Sequence, residues 1–89
     1  MTYSEIHSKI KKILANKMRV FRTSASYTAN FYDDFGLSSW ELNWLLYNVE
    51  DHFNITLEKG LENRISTINQ LVSLIYAEQQ RKYSGKVVA

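Results

Sequence analysis

The stretch DDFGLSSWELNWLLYNVEDHF, residues 33–53, holds the side chains best placed to do chemistry. Ser38 and Glu41 make S-x-x-E, the spacing at which a hydroxyl and a carboxylate each accept from the other residue's backbone N–H and start a helix. Leu37 and Leu42 occupy the flanking positions of a hydrophobic staple. With Ser38 as the cap, Ser39 is the first helical residue and its hydroxyl is spare. A helix start leaves backbone N–H groups without partners and carries the positive end of the helix dipole. A negative group on the Ser39 oxygen would be stabilised there. Two readings stand on this local ground: an ordinary first-turn serine, or a serine bearing a phosphate-type group.

The remaining candidates point to less. His7 and His52 have no cysteine and no close histidine, so no metal site is expected. Asp33 and Asp34 are expected to cap or solvate a loop, not to work as an acid–base pair. Three glycines form no phosphate-binding loop. Nothing resembles a catalytic constellation, and no enzyme is expected. Lys9, Lys12, Lys17, Arg19 and Arg22 could meet nucleic acid, but a solvated basic helix face explains them more simply, and no nucleic-acid partner is expected.

Several elements must position Ser39. Thr2 and Glu5 form a capping box ahead of Ile6, Ile10, Ile13 and Leu14, a helical stripe that places a first helix at about 3–17. Residues 18–37 read as a loop anchored by Val20, Phe31 and Phe35; a loop of that length in a small domain is often functional. The second helix starts near Ser38, with Leu42, Leu45, Leu46, Val49 and Phe53 on one face. Residues 58–64 suit one or two helical turns, with Leu57, Leu61 and Ile65 inward. Thr67 and Gln70 open the last helix, with Ile68, Leu71, Val72 and Ile75 inward and an end near Gln80. The pattern predicts an all-α, small four-helix bundle of three main helices and one short one, a single domain over 1–80, and a flexible tail over 81–89.

The 89 residues carry a net charge of +2, which hides a block pattern. Residues 1–22 sum to +5, residues 23–58 contain six acids and no Lys or Arg, and residues 59–89 sum to +3. With 45% hydrophobic residues, one compact core is within reach. The chain has no cysteine, which rules out disulfides and Cys-type zinc sites and fits a reducing, cytoplasmic setting. The N-terminus lacks a signal-peptide apolar core, and no apolar run nears the ~20 residues that span a bilayer, so no membrane association is expected.

The segment FYDDFGLSSWELNWLLYNVEDHFNITL, followed by NRISTINQLVSLI, resembles the acyl carrier protein family. The family pattern is roughly F-x-x-D-L-G-x-D-S-L-[DE]-x-[VL]-E-L, an acidic helix, F-x-[IV]-x-[IV], then I-x-T-[VI]-x-x-[LA]. Phe31, Asp34, Phe35, Gly36, Ser39, Glu41, Leu45, Phe53, Leu57, Ile65, Thr67 and Ile68 fall at matching places, and the resemblance spans about 6–75. It implies a bundle of acyl-carrier type. It also implies that Ser39 bears 4′-phosphopantetheine, loaded by a phosphopantetheinyl transferase, whose thiol holds fatty acyl, polyketide, aminoacyl or other intermediates. The chain departs from the pattern in three ways. Ser38 replaces the usual Asp and so removes a charge beside the attachment point. Trp40 and Trp44 replace the usual Leu and Glu. The chain is slightly basic where the family is acidic.

At about 100° per residue from Ser39, the core residues of the second helix cluster near 300°, while Trp40, Trp44, Tyr47 and Asp51 lie at about 80–140°. A second apolar stripe on a surface helix marks a partner site. With Glu41 and Glu50, these four residues make the expected docking face for acyl-transferring or synthase enzymes. They also make a patch expected to drive weak self-association. The opposing expectation is that one Trp tucks under the 18–37 loop with its aromatics Tyr27 and Tyr32. A carrier-like fold that is never loaded, working only as a protein-interaction module, is the alternative to a loaded carrier.

Overall fold

The structure, a computed structural model, describes residues 1–18, 26 and 28–88, with side chains described through Arg81. Among the described residues, three α-helices and one short 3₁₀ turn make up the regular structure: α1 Tyr3–Lys17, α2 Ser39–Phe53, the 3₁₀ turn Leu61–Asn63, and α3 Ile68–Val88. The chain is thus all-α, three main helices plus one short one, as its periodicity predicts. Val20, Tyr27 and the other residues of 19–25 lie outside the described residues.

Each main helix starts on a reciprocal cap. Thr2 Oγ1 accepts from the Glu5 N–H at 3.2 Å and Glu5 Oε1 from the Thr2 N–H at 3.0 Å. Ser38 and Glu41 repeat this at 3.1 and 2.9 Å, and Thr67 and Gln70 at 3.3 and 3.1 Å. Helix α2 stops at Asn54, whose left-handed backbone (φ 55°) closes the last turn by donating to the Glu50 carbonyl.

The apolar stripes meet in one core. Ile6, Ile10, Ile13 and Leu14 of α1, Leu42, Leu45, Leu46, Val49 and Phe53 of α2, and Ile68, Leu71, Val72 and Ile75 of α3 are all buried. Phe31, Leu37, Leu61 and Ile65 join them from the connections. Helix α1 packs on both α2 and α3, and the 3₁₀ turn packs on α2.

Two features differ from expectation. Helix α3 continues past its expected end near Gln80 as far as Val88. No proline or cap interrupts RKYSGKV, each further helical residue adds a hydrogen bond, and Gly85 costs only about 1 kcal/mol. In addition, Asn30 and Thr67 form an isolated antiparallel bridge, the one β-type pairing among the described residues. It is held by Phe31 N–H to Ser66 O at 2.7 Å and Ile68 N–H to Ala29 O at 3.0 Å. The approach to α2 is thereby tied to the start of α3.

Candidate functional site

The turn that delivers Ser39 is built from side chain to backbone bonds. Asn30 Oδ1 accepts from the N–H groups of Tyr32 at 2.8 Å and Asp33 at 2.9 Å, an Asx turn. Asp34 Oδ2 closes the other side by accepting from the Asn30 N–H at 2.6 Å, which is the loop-capping role expected of that pair. Gly36 takes a left-handed backbone (φ 66°), open to glycine without strain. The Leu37 N–H then reaches back to the Phe31 carbonyl at 3.0 Å. Tyr32 donates its hydroxyl to the Glu62 carbonyl, fastening the turn to the 3₁₀ segment.

Ser38 is the N-cap, in extended backbone. Its carbonyl accepts the first helical bond, from the Leu42 N–H at 2.9 Å. Ser39 is exposed, and among the described residues nothing hydrogen-bonds its hydroxyl. The capping chemistry is complete without it. A substituent on its oxygen would leave from the surface, at the positive end of α2, with no packed side chain to displace.

The expected docking residues divide into two kinds. Trp40, Trp44 and Tyr47 are 73%, 41% and 62% exposed, and Asp51 is exposed beside them. The expectation that one Trp tucks under the 18–37 loop falls largely on residues outside the described ones, Tyr27 among them. Glu41 and Glu50 are half-buried and already engaged: Glu41 in the cap of α2, and Glu50 Oε2 with the Leu57 N–H at 2.7 Å. Of the three acids on this face, Asp51 is the one whose carboxylate has no internal task among the described residues. The face is aromatic in character, not acidic.

Two residues of the surroundings escaped the sequence reading. Asn43, one turn after Ser39, and Glu62 of the 3₁₀ turn line a groove of about 340 Å³ between α2 and residues 56–62. A signal for the first was present, since Asn43 stands where the family pattern has Val or Leu. Among the described residues no group of three or more His, Asp or Glu is placed to hold a metal ion. No described helix is long and apolar enough to cross a membrane.

The helical bundle presents an unengaged serine at the start of its second helix, and proteins of known kind resemble it in sequence and share its fold. The chain is 32% identical over 71 residues to the acyl carrier protein of Thermotoga maritima, covering 80% of this chain and 88% of that protein. It is 31% identical over 75 residues to the acyl carrier protein of Petrotoga mobilis, covering 84% and 88%. A crystal structure of an acyl carrier protein from Thermotoga maritima superposes with a TM-score of 0.81 over 89% of this chain and 92% of that one; at 18% identity it shows the shared fold. No family model matches the chain. The chain belongs to the acyl carrier protein family, whose members are carriers and not enzymes.

Proposed function

We propose that Ser39 is the attachment point of a 4′-phosphopantetheine arm. The observation that carries this reading is the Ser39 hydroxyl itself: exposed, unengaged, and at the family's motif position directly after a cap that does not need it. When bound, the arm supplies a terminal thiol that holds an acyl group as a thioester. The chain's own part is positional. Ser38 and Glu41 fix the helix start, the Asn30–Asp34 turn fixes its direction, and the Ser39 and Trp40 N–H groups at the dipole's positive end favour the phosphodiester charge.

The carrier works with a phosphopantetheinyl transferase and with acyl-transferring or synthase enzymes that dock on α2, in the cytoplasm. Trp40, Trp44, Tyr47 and Asp51 form the docking surface, and Glu41 and Glu50 shape it from beneath. Burying one such ring contributes ~2 kcal/mol or more, against ~0–1 kcal/mol for an exposed ion pair. Docking is therefore mainly apolar, and in the absence of a partner the same patch drives weak self-association. A second reading is favoured by one observation, Ser38 in place of the charged residue beside the attachment point: a chain never loaded, working only through its aromatic face. Intact mass after incubation with coenzyme A and a transferase separates the two. Wild type gains the mass of the arm and Ser39→Ala does not; no gain in wild type leaves the interaction module.

A further inference from the structure

The exposed stripe of α2 has a symmetry of its own. Trp40, Trp44, Tyr47 and Asp51 follow one another at intervals of four, three and four residues, the spacing at which one helix offers a narrow seam to another. The seam stays within about 60° around α2 and runs for about 16 Å along it. None of the four side chains makes a hydrogen bond among the described residues. Trp44 and Tyr47 lie equally far from the midpoint of the seam, and so do Trp40 and Asp51.

A second copy turned end for end about that midpoint therefore meets the seam in register, as a two-fold contact requires. Trp44 of each copy then faces Tyr47 of the other, which makes two aromatic pairs at the centre. Asp51 of each copy faces Trp40 of the other, where the indole N–H is a donor and the start of α2 is the positive end of its dipole. The flanks agree with this direction. Each edge of the helix meets its own counterpart, so Glu41 comes opposite the second copy's Asn48 and Glu50 opposite its Asn43, acid to amide. A parallel pair instead sets Asp51 against Asp51 at two negative helix ends, which like-charge repulsion disfavours. Area limits the strength of the contact. The exposed parts of the three rings amount to about 400 Å² per copy, half of the roughly 800 Å² per partner that a stable interface buries. The pair is reversible.

We infer that two copies of the chain pair through α2, antiparallel about a two-fold axis between Trp44 and Tyr47, and that the pair covers the face on which enzymes dock. This rests on the reading of that face as a contact surface and does not depend on loading at Ser39. The test joins sedimentation of the full chain over a dilution series to NMR of a mixed sample. The chain has no cysteine, so His52→Cys, at an exposed position off the seam, takes a single nitroxide. Nitroxide-bearing copies are mixed with isotope-labelled wild-type copies, whose amides report the contact. Wild type is expected to sediment as monomer and dimer in exchange. Trp44→Ala removes a ring from both copies at once and raises the dissociation constant by about tenfold or more. The nitroxide broadens the amides of Trp40 and Glu41 most. Broadening centred on Asp51 and His52 would mean a parallel pair and overturn the inference, while the reading of the face as a contact surface stands. Dimerisation that neither Trp44→Ala nor Tyr47→Ala weakens would place the contact elsewhere and overturn the inference together with self-association through this face. A chain that is monomeric at every concentration overturns the same two and leaves the face to docking enzymes.

Discussion

The starts of the three helices share one device and put it to different uses. Thr2, Ser38 and Thr67 cap in the same way, each with an acid or amide three residues on. The residues that follow them diverge. Tyr3 packs its ring edge-on against Tyr76, 4.8 Å between centroids. Ile68 is fully buried. Among the described residues, nothing hydrogen-bonds the Ser39 hydroxyl. A capping box therefore builds a helix start whatever comes next, and the first helical residue decides whether that start serves packing or is left open to chemistry. At α2 alone it is left open, and there the opposite helix face is aromatic as well.

The sharpest way to break this contrast is to truncate the first helical residue of each helix. Ile68→Ala removes a fully buried side chain and is expected to cost about 2–5 kcal/mol. Tyr3→Ala loses an edge-on aromatic pair and some burial, about 1 kcal/mol. Ser39→Ala is expected to stay within about 0.5 kcal/mol of wild type, as an exposed substitution outside the cap. Urea unfolding of the three variants checks the order. A large loss from Ser39→Ala would mean that its hydroxyl serves the fold after all.

A second contrast sets the rings and the carboxylate of one face of α2 against each other. Trp40→Ala and Trp44→Ala are each expected to weaken a docking enzyme by about 2 kcal/mol, and Asp51→Ala by at most about 1 kcal/mol. Binding titrations at low and physiological salt check this. A steep salt dependence with little response to either Trp change would restore an acidic docking mode.

Ser38 sharpens the comparison from the cap side. Ser38→Ala leaves the Glu41 N–H without its acceptor and is expected to cost roughly 1 kcal/mol. Ser38→Asp keeps a good cap and adds a charge at the positive end of α2. It should leave stability near wild type and speed loading by a transferase, followed by mass against time. A slower rate would mean that serine suits this chain's own transferase.

Most of this organisation was legible because local rules and packing agree. The boxes at Thr2, Ser38 and Thr67 are short-range patterns, and the stripes through Ile6, Leu42 and Ile68 have no competing period. What escaped depended on contacts distant in sequence. The Asn30–Thr67 bridge and the bond from Tyr32 to Glu62 join segments that no periodicity links. Glu50 lies near the aromatic face on a helical wheel, yet it faces a backbone N–H seven residues on. The end of α3 was misread because a fading apolar stripe looks like a helix end, although backbone propagation needs no stripe.

The smallest expected effect concerns the box of α1. Hydrogen bonding from the Thr2 backbone N–H, then from its side chain, holds the Glu5 carboxyl below its ordinary value, with the N-terminal ammonium and Lys9 adding a little. Because the folded value is depressed, Glu5 contributes stability that is fully present above its ordinary carboxylate range. That contribution is lost as pH falls through the lower folded value. The stability difference between wild type and Glu5→Gln should accordingly be flat near neutrality and shrink on acidification. Hydrogen bonds, not distant charges, dominate the shift, so added salt should alter the difference only slightly. Equilibrium unfolding of both chains across the acid range checks the sign, and a gap that widens as pH falls would show that the carboxyl is better accommodated protonated, with the box of α1 held by Thr2 alone.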